Sequence, residues 1–291
     1  MINIIISILL LLVALLFGFS GAQGGPNIYG YPGLMLIAVV GFLIHWIAFI
    51  PSYLYKTEKY YDITGTIAYL LMTGFSIYTV DELNLRSQIV AILIVVWALR
   101  LGLFLLLRVF QIGEDKRFRE VKKSFSKFLV WFSMSALWVF LTTANALTLI
   151  LNNAALNVDS YFLIGLLIWC IGFAFEVIAD EQKRRFRNNP DNKGQFITTG
   201  FWSISRHPNY FGEILIWVGM AVISFPVLSG WQYATLISPV FVTILLTRVS
   251  GINLLEAASD KKWGSQPSYI EYKNNTPVLL PFIKIWNINN E

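Results

Sequence analysis

The chain has 291 residues, of which 56% are hydrophobic and only 13% charged, and its mean hydropathy is +0.61. Soluble domains carry about a quarter charged residues, so this composition excludes an ordinary water-soluble globule and indicates an integral membrane protein. The net charge of +5 comes from cations confined to a few short segments, which is the distribution of a membrane topology and not of a nucleic-acid surface. Cys170, the one cysteine, lies in an apolar run. That excludes a disulfide within the chain and a cysteine-based metal centre, and no metal site is expected.

Eight apolar stretches follow one another, at 2–20, 33–55, 63–80, 88–110, 127–150, 161–179, 208–226 and 232–250. Most reach the ~20 residues that cross a bilayer as a helix, which predicts an all-α polytopic membrane protein of about seven to eight transmembrane helices. Lysine and arginine check the count. With the N-terminus inside, the inner segments hold Lys56 and Lys59, six cations from Lys116 to Lys127, and six from Lys183 to Arg206. Lys261, Lys262, Lys273 and Lys284 follow in the tail, whereas the outer loops hold Arg86 alone. This alternation predicts both termini on the cytoplasmic side. Met1 to Ile8 carries no basic side chain, which argues against a signal peptide even though "FSGAQ" resembles a cleavage site. After Phe225, the connection "PVLSGWQ" leaves open two full spans or a broken, re-entrant hairpin. With no repeat and no linker, residues 1–291 read as a single membrane domain. Its N-terminal helices occupy 1–155, and 156–291 carry most of the polar chemistry.

Arg100, Arg108 and Arg248 fall within or near the ends of predicted spans. Each needs a partner or a wet cavity, since an ionisable group at mid-membrane costs about 2.5–3.5 kcal/mol on insertion scales. Arg108 can snorkel to the inner surface, Arg248 suits a helix C-terminus, and Arg100 lies deeper. The stretch "EVIADEQKRRFR" sets Glu176, Asp180, Arg184 and Arg187 on one helical stripe. That stripe fits either an i,i+4 ion-pair ladder leaving the membrane or one wall of a polar pocket. Glu176, still inside apolar sequence, favours the pocket.

The densest polar segment is "SISRHPNYFGEIL", Ser203 to Leu215, at the edge of the seventh stretch. Pro208 suits the first turn of a helix, whose free N–H groups form a ready anion site. Arg206 and His207 adjoin that terminus, Lys193 lies in the preceding loop, and Asn209 and Glu213 share one face at i and i+4. A ligand with a phosphate-rich end on Arg184, Arg187, Lys193 and Arg206 and an amide-bearing end on Asn209 and Glu213 would fit. A nicotinamide dinucleotide has that shape. No G-x-G-x-x-G fingerprint occurs, so a Rossmann domain is not the means of binding. A plain helix start with interfacial charges is the other reading.

These residues resemble a known family. "SRHPNYFGEI", with "ADEQKRRFRNNP" before it and "SPVFVTILLTRVSGINLLE" and "YKNNTPVLLPF" after it, is similar to the steroid 5-alpha-reductase-like membrane proteins, bacterial branch. "KYYDITGTIAYL", "WALRLGLFLLLR" and "GEDKRFREVKK" extend the likeness towards the N-terminus. Sterol reductases and isoprenylcysteine carboxyl methyltransferases have similar Arg-His-Pro segments, so a membrane methyltransferase using S-adenosylmethionine is the alternative. The resemblance implies NADPH held by the C-terminal helices on the cytoplasmic side of a membrane, the bacterial inner membrane in this branch. A steroid-like lipid enone would enter among the N-terminal helices. Carried over by position, Glu176, Asp180 and Arg187 face the cofactor, Asn209 and Glu213 lie near the nicotinamide, and Arg248 is the last-helix arginine. Tyr210 belongs to the same motif. Asn253 stands where steroid reductases carry a histidine region, and Glu256 where they carry a tyrosine. The glutamate and tyrosine that grip a steroid ketone have no direct counterpart. Asp62 and Trp97 stand nearest, with Tyr60 or Tyr61 as an alternative proton donor to Asp62 and with Arg100 on the substrate side. The implied partners are a lipid-like substrate and membrane lipids, with no nucleic acid and no obligate protein partner.

Overall fold

The computed structural model describes residues 2–112, 115–156 and 158–282. The side chains of Arg108 and Lys116, and Lys284 altogether, lie outside the described residues. The chain is a succession of helices: α1 (Ile2–Ala22), α2 (Gly33–Leu54), α3 (Lys59–Tyr78), α4 (Leu85–Ile112), α5 (Phe125–Asn152), α6 (Ser160–Asn188) and α7 (Pro208–Ser224). There follow α8 (Ile237–Ile244), a π-helical turn over Leu245–Val249, α9 (Ile252–Trp263) and α10 (Pro267–Asn275). A two-residue antiparallel pair, β1 (Asn27–Ile28) and β2 (Tyr31–Pro32), closes the α1–α2 turn. The protein is therefore all-α, and among the described residues seven helical segments are long and apolar enough to cross a membrane. The expected third stretch forms α3, but Lys59, Asp62 and a run of hydroxyl side chains leave it less apolar than those seven. Both of the last stretches form segments long and apolar enough to cross a membrane. Pro208–Val227 and Gly230–Trp263 each suffice for a span, with Leu228 and Ser229 between them. Ser229 and Gln232 form a reciprocal capping box that starts the second.

The chain divides into two compact units. The first runs through Leu163 and includes Met220–Ser238; the second comprises Ile164–Gly219 and the chain from Pro239 onward.

In the first unit α5 is the central helix, and almost every residue from Ser135 to Leu151 is buried. It has few large side chains in "TTANALT", and its hydroxyls bond back to its own carbonyls, Thr143 to Val139 at 2.8 Å and Thr148 to Ala144 at 2.8 Å. That device satisfies Thr143 and Thr148 within the helix itself, whereas Thr142 Oγ1 and Asn145 Nδ2 in the same stretch are buried with no hydrogen-bond partner among the described residues. Glycines bring α1 and α2 together: a Cβ on Gly18 would lie 2.7 Å from the Met35 Cα. Arg86, expected as the lone outer-loop cation, is instead buried. Its guanidinium pairs with Asp159 at 2.9 Å and donates to the Ile223 carbonyl at 3.1 Å. A guanidinium with several donors tolerates burial when carboxylate and carbonyl acceptors are both supplied.

In the second unit α6 and α7 touch backbone to backbone. A Cβ on Gly212 would lie 2.5 Å from the Glu176 nitrogen, one on Gly172 2.7 Å from the Gly212 oxygen, and one on Gly219 2.6 Å from the Gly165 oxygen. This small-residue seam is the usual means by which membrane helices approach closely.

Candidate functional site

The α6–α7 seam decides what the polar residues can do. Because Gly212 abuts the Glu176 backbone, the carboxylate-bearing turns of the two helices are adjacent. Glu176, Asp180 and Glu213 are all buried. Asn209, in the first turn of α7, donates its side-chain amide to the Asp180 carboxylate at 3.1 Å. Of the four residues expected around one polar pocket, Asn209 and Asp180 are hydrogen-bonded, and Glu176 and Glu213 lie on the adjoining turns of the same two helices.

Arg206 and His207 have another environment than expected. Both are buried and both meet Glu256 of α9, Arg206 Nη1 at 2.9 Å and His207 Nε2 at 2.9 Å. Arg206 is therefore a charge-balanced buried cation and not a surface-displayed one. The segment around it is pinned from the C-terminal side. The Arg206 N–H donates to the Pro277 carbonyl at 2.8 Å and the Ser205 hydroxyl to the Leu279 carbonyl at 2.8 Å. Burial holds the His207 imidazole below its ordinary value, against the pull of the Glu256 carboxylate. The neutral ring then donates from Nε2 to Glu256, which leaves Nδ1 as an acceptor. Nδ1 is buried and has no hydrogen-bond partner among the described residues. Tyr210 lies nearly parallel to the ring, with centroids 5.7 Å apart.

The remaining cations are peripheral. Arg184 is exposed and turned onto Glu181, as is Arg185, at 2.7 and 2.6 Å. Arg184 thus pairs with Glu181, which is not a member of the expected Glu176–Asp180–Arg184–Arg187 stripe. Arg187, Lys193, Arg248 and Asn253 are exposed, and Asn253 donates to the Arg248 carbonyl at 3.2 Å. Arg248 sits in the π-helical turn, an irregularity that frequently accompanies functional sites. The loop before α7 is folded onto α6: Trp202 Nε1 donates to the Ala179 carbonyl at 3.0 Å, and Lys183 lies over the Trp202 ring.

In the first unit, Tyr61 is packed among Phe118, Trp131 and Phe132 and donates its hydroxyl to the Trp131 carbonyl at 3.2 Å. Asp62 is electrostatically coupled to Tyr61 and Arg117. Trp97 is fully buried, edge-on to Tyr69 at 5.1 Å, and the Arg100 guanidinium lies 5.5 Å from the Phe104 ring centre. Sequence reasoning missed His45 and Ser135, which hydrogen-bond at 3.1 Å in the same unit. The one signal was a histidine in the middle of an apolar run.

A family model described as a protein of unknown function, DUF1295, matches residues 48–276, which take in every site residue from Tyr61 to Glu256. The chain belongs to the DUF1295 family. This is the steroid 5-alpha-reductase-like family. Among curated proteins, the DUF1295 chain is similar to the 3-oxo-5-alpha-steroid 4-dehydrogenase 1 of Bos taurus, 26% identical over 125 residues, or 43% of each chain. That of Macaca fascicularis is 30% identical over 125 residues, 43% of this chain and 42% of the relative. It is also similar to the probable O-methyltransferase ustE of Ustilaginoidea virens, 32% identical over 76 residues, 26% of this chain and 27% of the relative. These matches span less than half the length of the relatives concerned. The protein is thus of an oxidoreductase-like membrane family.

Proposed function

We propose that this protein reduces the conjugated carbon–carbon double bond of a steroid-like or other lipid enone with NADPH, as in 3-oxo-Δ4-steroid 5-alpha-reduction. The single observation that carries the reading is the set formed by the buried carboxylates Glu176, Asp180 and Glu213 with half-buried Asn209, which donates to Asp180, on two helices joined by the α6–α7 glycine seam, with the buried His207 Nδ1 that has no hydrogen-bond partner among the described residues. Carboxylate and amide acceptors and donors at this density suit a carboxamide and sugar hydroxyls, so the residues fit a nicotinamide nucleotide. Asn209, Glu213, Glu176 and Asp180 would hold its neutral parts, and Arg187, Lys193 and Arg248 its phosphates. Arg206 would act at one remove, by ordering the start of α7.

Bound NADPH supplies the hydride that reaches the β-carbon of the enone. The chain's own residues orient the partners, exclude water and manage one proton per turnover. Polarising the substrate carbonyl lowers the barrier because negative charge develops on that oxygen, where a fixed donor acts most strongly. Tyr61 has a hydroxyl for that role. Asp62 is the acidic group beside it, with Trp97 and Arg100 as further contacts for the substrate. The proton is delivered to the α-carbon. The protein would act in the bacterial inner membrane with its cofactor residues on the cytoplasmic side, on a lipid-like substrate and without an obligate protein partner.

The deciding measurement is equilibrium binding of NADPH and of S-adenosylmethionine to the purified protein in detergent. NADPH is expected to bind and S-adenosylmethionine is not. Binding of S-adenosylmethionine alone would replace this reading by the second one, a membrane O-methyltransferase, which the ustE similarity favours. Glu213→Ala is expected to abolish NADPH oxidation by an enone steroid with the fold intact; unchanged turnover would remove Glu213 from the site.

A further inference from the structure

The central helix α5 carries polar atoms that the chemistry above leaves unused. Trp138 Nε1, Thr142 Oγ1 and Asn145 Nδ2 are buried, and none has a hydrogen-bond partner among the described residues. Spacings of four and three set the three side chains on one face of the helix. Thr142 and Asn145 are fully buried, whereas Trp138 is partly exposed. Other hydroxyls of α5 are met within the helix. Ser133 donates to the Leu129 carbonyl at 2.9 Å, Thr143 to Val139 at 2.8 Å and Thr148 to Ala144 at 2.8 Å. Thr142 does not bond back in this way.

The direction of the Asn145 amide is fixed by its own turn. The Ala146 N–H donates to Oδ1 at 2.7 Å, and an N–H cannot accept, so the oxygen faces it and the NH2 group points elsewhere. The Thr142 carbonyl, the helical acceptor for that N–H, also receives the Ser238 hydroxyl. All three unmet atoms therefore offer hydrogen: one from the indole, one from the hydroxyl and two from the amide. A buried donor left unmet is costly, and a membrane interior has no bulk water to meet it. The matching chemistry is an acceptor oxygen on an apolar body. Thr142 and Asn145, neighbours at i and i+3, are placed to meet the two lone pairs of one such oxygen.

The same face of α5 runs on to Tyr61. Trp131 lies seven residues, or two turns, before Trp138. Tyr61 donates to the Trp131 carbonyl at 3.2 Å and packs against the Trp131 indole with ring centroids 6.3 Å apart. At 1.5 Å per residue the three donors stand about 10–21 Å farther along the helix than Trp131. A fused-ring enone whose ketone is at Tyr61 reaches into that interval with its far end.

We infer that Trp138, Thr142 and Asn145 form a specificity site for a second oxygen of the lipid substrate, at the end remote from the reduced double bond. The inference rests on the proposed enone reduction. It narrows the substrate class to elongated lipids with an acceptor oxygen at each end, lying lengthwise along α5. A ketone or hydroxyl at the far end satisfies the donors. A hydrocarbon end leaves them unmet, and a site built to hydrogen-bond an oxygen rejects the analogue that lacks it.

The test is equilibrium binding of two 3-oxo-Δ4 steroids to the full chain in lipid nanodiscs. The two are identical except that one carries a ketone on its five-membered ring and the other carries only hydrogen there. The parent should bind the diketone about 10–100-fold more tightly, as one or two buried hydrogen bonds allow. Thr142→Val and Asn145→Leu, apolar side chains of similar size, should each remove about tenfold of that preference by weakening the diketone alone. Each also deletes an unmet donor, so neither variant should melt below the parent when no steroid is bound. Thr142→Ser keeps the hydroxyl and should keep the preference. Thr143→Val loses only a bond to its own helix and should keep it too. In turnover, Thr142→Val and Asn145→Leu should raise KM for the diketone and leave kcat unchanged. Equal parent affinities for the two steroids, binding of neither, a preference that survives Thr142→Val combined with Asn145→Leu, or the same loss in Thr143→Val would each overturn the inference. The parent comparison decides even where a variant does not fold. A parent that reduces both steroids with equal kcat/KM fails this inference alone. A parent that prefers the diketone, loses the preference in Thr142→Val and reduces neither steroid fails the functional reading and leaves the oxygen site standing.

Discussion

Replacing Gly212 by alanine tests whether the α6–α7 seam sets the site. The new Cβ would lie 2.5 Å from the Glu176 nitrogen, 2.6 Å from the Gly172 oxygen and 3.0 Å from the Glu176 Cα. All three are backbone atoms, so no side chain can rotate aside. Ordinary contact begins at 3.4 Å, so α6 and α7 must part by about 0.9 Å, the difference between 3.4 and 2.5 Å. Overpacking of this kind costs about 1–3 kcal/mol. The same displacement carried to the next turn would lengthen the 3.1 Å Asn209–Asp180 bond to about 4 Å, beyond hydrogen-bonding range. A misplacement near 1 Å costs about 100-fold in rate. Gly74→Ala is the control: it is also a helical glycine, but its Cβ would meet nothing within 4 Å, and it should be neutral or stabilising by up to ~1 kcal/mol. The assays are thermal unfolding in detergent, NADPH affinity and enone turnover. Unchanged melting and affinity in Gly212→Ala, or equal damage from Gly74→Ala, would refute the seam as the determinant.

Glu256→Ala should lower stability by about 3–5 kcal/mol, because it leaves Arg206 buried without its carboxylate; thermal melting checks this. The His207 imidazole is held below its ordinary value of 6.5, so the unfolded chain takes up a proton first as the pH falls. Stability should therefore decline below about pH 6.5, and His207→Gln should flatten that part of the profile. Asp159 is shifted the other way. Burial raises its carboxyl, but the Phe162 N–H and Arg86 outweigh that and hold it below 3.8. Its stabilising contribution is present above about pH 4 and lost as the pH falls further, and Asp159→Asn should remove that acid dependence.

The extent of the helices was legible in the sequence because apolar length is a local property. All eight stretches became helical and most ends shifted by a few residues, but α6 runs on nine residues past the expected 179, and the eighth stretch is the short α8 between a 3-10 and a π-helical turn. Partnerships were not legible in the same way. Arg206 read as a phosphate-facing cation because it adjoins a helix start, yet its partner, Glu256, is fifty residues on and only the folded second unit brings it near. Arg184 found its carboxylate in Glu181, three residues back, a pair that the spacing of the Glu176–Arg187 stripe passed over. Asn209 and Glu213 were readable as one face, while their approach to Asp180 and Glu176 depends on glycines whose significance is tertiary. His45 was invisible for a related reason: nothing near it in sequence explains a buried imidazole, since Ser135 lies ninety residues away.

The order in which the chain is made adds a constraint. The first unit is completed by Met220–Ser238, but Ile164–Gly219 of the second unit must be synthesised before that segment exists. At about 5–20 residues per second, several seconds pass in which Arg86 has no Ile223 carbonyl and Asn152 has no Gln232 partner. Until that segment is made, these polar groups must be met by water or by other partners. The early helices must then wait in a loosely closed state, and substitutions in 220–238 should act on membrane assembly of the N-terminal helices as strongly as changes made within those helices themselves.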